Sequence, residues 1–222
     1  MLQQINKKII FYISLVIILG TFNNKNLTNF ELPKINIVNI EGIELNDNEF
    51  LEITNLIKLN NLLSIEKSQL KEILNANNLI EKYEVLKKYP SSIEIKIEKT
   101  NFLASTNING KNYIVGSNGK FINTKDYSKN LPFVFGNFKT EEFLEFKDII
   151  LQTKFEYNKI KNFYYFPSGR WDIEMNSGVL IKLPITGIKE SLNLSIDLLD
   201  DIEFSKIKIL DIRQKNQIVT ND

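Results

Sequence analysis

The sequence contains no cysteine and no histidine. Without cysteine there is no disulfide, no thiol nucleophile and no cysteine metal site. Without histidine the commonest general base and metal ligand is missing as well. Together the two absences remove Ser-His-Asp and Cys-His constellations and zinc-ligand spacings. Net charge is close to absent too, with 28 Lys and Arg against 27 Asp and Glu. No basic excess points to nucleic acid, and no acidic excess points to a solvating tail. Neither a Walker-type loop nor a GxGxxG turn occurs. Ser64-x-x-Lys67 has the spacing of a Ser-Lys dyad, but it reads more simply as a helix N-cap followed by a first-turn lysine. The carboxylate pairs Glu141/Glu142 and Asp200/Asp201 fall on predicted helix faces or ends, where they read as solvated charges rather than a glycosidase acid and base. The expectation is a protein without enzymatic activity, cofactor, metal or small-molecule substrate.

What is present is strand and helix periodicity. Tyr83–Leu103 reads as two strands joined by a turn at Tyr89-Pro90-Ser91-Ser92, because proline fixes its own φ and extends the residue before it. After the turn Ile93, Ile95 and Ile97 alternate with Glu94, Lys96 and Glu98, the period of a half-buried strand. Upstream, Ile35–Ile40 is a short strand ended by Glu41-Gly42. A helix is predicted from Asn46 or Asp47 to Lys58, with Phe50, Ile53, Leu56 and Ile57 at helical spacing. Ser64 is expected to cap a second helix bearing Leu70, Ile73 and Leu74. The order is strand, helix, helix, strand, strand, an α+β layer.

Ahead of this unit, Lys7 and Lys8 precede an apolar run, Ile9–Gly20. Twelve helical residues reach only about 18 Å against a hydrocarbon core of about 30 Å. Extended to Phe22, with the lysines snorkelling, the run is expected to be a retained transmembrane signal anchor. A cleaved signal peptide and a buried helix are the alternatives. Segments are thus expected at 1–8 (cytoplasmic tail), 9–22 (anchor), 23–34 (linker), 35–103 and 104–222. The last segment is strand-rich. It carries a hairpin around Ser117-Asn118-Gly119, a strand at Leu131–Phe135 and a helix at Glu141–Lys154. A meander over Ile160–Leu183, a helix at Ile188–Ile202, a strand at Ile207–Ile212 and a short one at Gln217–Thr220 follow. Trp171 reads as a core aromatic or a partner-facing anchor. Arg170 would lie on the opposite face. Arg213 is placed to pair with Asp211, either as a plain salt bridge or as a pair presented at a sheet edge.

The strand with Glu41-Gly42, two helices and Tyr89-Pro-Ser-Ser followed by Ile93-Glu-Ile-Lys-Ile-Glu-Lys99 resembles a POTRA domain. Gly169-Arg170-Trp171-Asp172, Leu183-Pro184 and Leu210-Asp211-Ile212-Arg213 resemble the second domain of the bacterial division family FtsQ/DivIB. The resemblance implies a POTRA domain over 35–103 and a mostly antiparallel β-domain with two helices over 104–222. It implies a non-enzymatic divisome scaffold, single-pass in the inner membrane at the septum, with its C-terminal part in the periplasm. It implies FtsB and FtsL as partners at an edge strand, with FtsK, FtsW and FtsI nearby. The positions it marks for partner binding are Arg170, Asp211, Ile212, Arg213, Gln214, Gln217, Ile218 and Val219. Aromatics that commonly follow the arginine are replaced here by Gln214 and Gln217, so pairing through the backbone is the expected mode. The alternative reading is a POTRA-containing protein of outer-membrane assembly or secretion.

Overall fold

The computed structural model describes residues 7–22, 33–42, 47–65, 67–123, 130–200, 207–214 and 217–221. By internal contacts the chain divides into two compact units. One comprises Met1–Asn39, Leu45–Lys67 and Val85–Ile95; the other comprises Ile40–Glu44, Ser68–Glu84 and Lys96–Asp222.

Helix α1, Lys7–Phe22, has 16 residues and exposes its apolar side chains, Val16 to 67% and Leu19 to 62%. At about 1.5 Å per residue it is about 24 Å long, short of a hydrocarbon core of about 30 Å. Among the described residues no helix is long and apolar enough to cross a membrane. That finding corrects the expected anchor over 9–22, and with it the single-pass inner-membrane placement that had put the C-terminal part in the periplasm.

Strand β1 (Ile37–Glu41), helices α2 (Asp47–Lys58) and α3 (Lys67–Ala76), and strands β2 (Ile80–Lys88) and β3 (Ser92–Lys99) come next. The three strands form a sheet in the order β1-β3-β2. In the first unit Ile35, Ile53, Ile57, Leu62, Ile65, Ile93 and Ile95 are buried. Ile53 and Ile57 are one helical turn apart, which is why α2 buries that stripe while Phe50, earlier on the helix, stays 43% exposed. The alternation of β3 has an exception at Glu94, which is buried and ion-paired with Lys88. Ser64 closes a turn with Asn61, whose Oδ1 accepts from the N–H groups of Leu63 and Ser64, both at 2.9 Å.

The second unit holds a nine-stranded sheet. Its strands are β4 (Phe102–Ile108), β5 (Lys111–Gly116), β6 (Phe121–Ile122), β7 (Phe133–Phe135), β8 (Ile160–Tyr165), β9 (Trp171–Met175), β10 (Leu180–Lys182), β11 (Ile209–Asp211) and β12 (Val219–Asn221). They lie in the order β12-β11-β10-β9-β8-β7-β4-β5-β6. The pairs β4–β7, β7–β8 and β10–β11 are parallel, the others antiparallel. Val134, Phe163, Ile173, Ile181 and Leu210 stand in register on neighbouring strands, so they share one face. Helices α4 (Thr140–Leu151) and α5 (Ile188–Leu199) cover it with Phe143, Phe146, Ile150 and Leu192 in a common core. Glu142 steadies the start of α4 by accepting from the Lys139 N–H at 2.8 Å. Trp171 belongs to this core at 3% exposure, with its ring stacked on Phe146 at 4.9 Å.

Candidate partner-binding edge

Among the described residues no strand lies beyond β12. The bonding on its inner side decides what it offers outward. Leu180 N–H donates to Lys208 O at 2.8 Å, and Ile212 N–H donates to Lys182 O at 3.1 Å. Peptide groups alternate sides along a strand, so the Lys208 C=O and the main chain of Leu210 and Ile212 face β10 while that of Ile209 and Asp211 faces β12. The Lys208 N–H turns to the β12 side and donates to Asn221 O at 3.0 Å. The counterparts of Ile209 and Asp211 on β12 are Asn221 and Val219. By the same alternation, Thr220 directs its N–H and C=O away from the sheet, and the Ile218 C=O, opposite the inward Val219 N–H across their shared peptide, points the same way. Ile218 and Val219 are 42% and 52% exposed.

The face that the two helices leave uncovered carries a row of charges toward this edge. Tyr164, Asp172, Lys182, Asp211 and Val219 are in register across β8 to β12. Arg213 grips Asp211 from beyond the strand end, its Nε at 2.8 Å and 3.0 Å from the two carboxylate oxygens and its Nη2 at 2.5 Å. These hydrogen bonds hold the Asp211 carboxyl below the usual range and raise the guanidinium. Arg170 reaches Asp172 through Nε at 3.1 Å and Nη2 at 3.3 Å and lies over the Phe166 ring at 4.0 Å. Asp172 is only 2% exposed. Burial pushes its carboxyl up, against the pull of Arg170, the Leu183 N–H and Arg213. Further along the same face Glu174 accepts from Tyr164 Oη (2.6 Å), Asn162 Nδ2 (2.8 Å) and Lys161 Nζ (3.0 Å). Led by the tyrosine, these donors draw its carboxyl down to about 2.

Seven of the eight sequence-marked residues therefore converge. Ile212, Arg213, Gln214, Gln217 and Ile218 line a groove of about 600 Å³ against the N-terminal end of α5, where Pro184, Thr186 and Leu194 form the other wall. Asp211, Arg213, Gln214, Gln217 and Val219 line a second of about 400 Å³. Ile212 is itself 5% exposed and belongs to the core. Arg170 stands apart on the β8–β9 turn with its side chain 21% exposed, joined to the others through Asp172. Sequence reasoning placed Thr220 in the last short strand and Asp172 in a family motif, and missed Lys182 and the α5 wall. Lys182 had a readable signal, a charge in an otherwise apolar strand.

A family profile described as cell division protein FtsQ/DivIB, C-terminal, matches residues 104–213, which hold most of β4 and all of β5 to β11. Over this domain the chain is homologous to the FtsQ/DivIB family. The cell division protein FtsQ of Rickettsia bellii (strain RML369-C) is 24% identical over 200 residues, covering 83% of this chain and 70% of that protein. A solved structure of the major extracytoplasmic domain of the cell division protein DivIB from Geobacillus stearothermophilus is 14% identical, with a TM-score of 0.36. It covers 48% of this chain and 96% of that one. The homology supports a cell-division role exercised through protein–protein contact rather than through catalysis.

Proposed function

We propose that the chain is a divisome scaffold that captures a strand of FtsB or FtsL along β12 and so links them to the septal peptidoglycan synthase. The observation that carries this is the outward main chain of Thr220, with the Ile218 C=O beside it, at the end of the large sheet. An incoming strand meets one N–H donor and two C=O acceptors there, the recognition mode of strand addition. The adjoining grooves take side chains from alternate positions of that strand. The net positive run Arg170, Asp172, Lys182, Asp211, Arg213 favours an acidic group beside it. Residues 104–222 serve as the β-domain that presents the edge. Residues 35–103 serve as a POTRA domain with a separate surface, the place for FtsK, FtsW or FtsI.

Capture of the tagged full-length protein from crosslinked cells, followed by mass spectrometry, tests the reading. FtsB, FtsL and the septal peptidoglycan synthase are expected in wild type and reduced by Arg213→Glu. Outer-membrane barrels and their assembly lipoproteins in their place would overturn it.

A further inference from the structure

The β5–β6 turn lies at the opposite end of the large sheet from β12, and it bonds to chain some forty residues earlier. As a hairpin it is already closed: Gly116 N–H donates to Lys120 O at 3.0 Å, and Gly119 N–H to Gly116 O at 3.1 Å. Its side chains are occupied elsewhere. Asn118 Nδ2 donates to the carbonyls of Asn78 (2.9 Å) and Ile80 (3.0 Å). Ser117 Oγ donates to Glu81 Oε2 at 2.7 Å, and Lys120 Nζ donates to Asn75 O at 2.6 Å. In the reverse direction Asn78 Nδ2 donates to Phe121 O at 3.0 Å. Thr100 sits beneath, its N–H donating to Leu79 O at 2.9 Å and its Oγ1 accepting from the Asn118 N–H at 3.2 Å. A Cβ at Gly116 would lie 2.6 Å from Asn118 Oδ1 and 2.8 Å from Thr100 Oγ1, so only glycine leaves room for this arrangement.

We propose that the β5–β6 turn is a latch that grips the main chain where α3 passes into β2. While it is closed, residues 75–81 move as one body with the large sheet. When it opens, that segment is released and the sheet stays folded. The grip is made of polar contacts, mostly to carbonyl oxygens, and their net worth is small because water replaces them. Such a seam belongs to the low-stability end of a fold and opens before the core does. Asn118 is its centre, since both of its donor hydrogens are spent on the gripped segment while its Oδ1 accepts from the Lys120 N–H at 3.1 Å. What happens at the start of β2 is then felt by the large sheet only with the latch shut.

Amide hydrogen exchange on the full-length chain tests this. Asn118→Ala is expected to speed exchange about tenfold at Leu79, Ile80 and Thr100, the effect of losing two such bonds, with β8 to β10 unchanged. Asn118→Asp keeps the size but turns a donor into an acceptor facing two carbonyls, so its acceleration at the same amides is expected to be larger. The milder Ser117→Ala removes one contact to the gripped segment, that to Glu81, along with the bonds of the same hydroxyl to the Asn101 N–H and Thr100 Oγ1, and is expected to give about threefold. Unchanged exchange at Leu79, Ile80 and Thr100 in all three variants would overturn the proposal. So would acceleration that reaches β8 to β10 equally, since the turn would then serve global stability.

Discussion

Trp171 is the sole tryptophan, and beyond its stack on Phe146 it has Tyr165 at 4.7 Å and Phe138 at 6.0 Å between ring centres. Truncation leaves a hole that these rings cannot fill, so Trp171→Ala is expected to lower stability by about 3–5 kcal/mol, read as a shift of the urea midpoint by circular dichroism. Of the two sequence readings for this residue, core and partner anchor, the structure shows the core. Glu174 gives a pH signature. Its folded pKa, about 2, lies below the ordinary 4.5. Its stabilising contribution is therefore complete above the unfolded value and is lost as pH falls from there through about 2. Glu174→Gln is expected to lower the urea midpoint at pH 6, and the difference from wild type is expected to vanish near pH 2. An equal difference at both pH values would mean that the three donors act through shape rather than charge.

Elements with a strong local period were legible. The isoleucines of β3, the Phe143, Phe146 and Ile150 stripe of α4 and the Asn118-Gly119 turn all form where the pattern put them. Strand β4 was not read, although Asn109-Gly110 after it is a two-residue turn with both φ positive, 52° and 79°. The reason is a register shift between Phe102 and Ala104, which buries Leu103 and Ala104 together and hides the alternation. The anchor over 9–22 misled because snorkelling lysines do not make up the length that the run lacks. Order in the sheet was beyond reach of local patterns: β7 enters between β4 and β8, parallel to both. That insertion ends at Gly136, where φ is +107° and an added Cβ would sit 2.2 Å from Tyr165 O. Gly136→Ala is expected to destabilise the second unit by more than about 2 kcal/mol, measured by chemical denaturation. A change within about 0.5 kcal/mol would show that the backbone there relaxes freely.

At the scale of the molecule, the sequence motifs pointed to the FtsQ/DivIB family, and most of the residues they mark gather at one end of the sheet. They did not reveal which atoms are on offer there. Leu210-Asp211-Ile212-Arg213 reads as a strand end with an ion pair, and the structure shows both. The alternation that turns Thr220 outward depends on how β11 bonds to β10, a relation between segments about thirty residues apart in the chain. Thr220→Pro removes the outward N–H without touching the inward bonds of Val219 and Asn221, as an edge strand allows. The decisive measurement is a binding titration of the purified chain and its Thr220→Pro variant against FtsB–FtsL, with circular dichroism and thermal melting on both. The account predicts affinity weakened about tenfold, one hydrogen bond's worth, with spectrum and melting temperature unchanged. Equal affinity in two equally folded proteins would contradict it and place the partner elsewhere on the molecule.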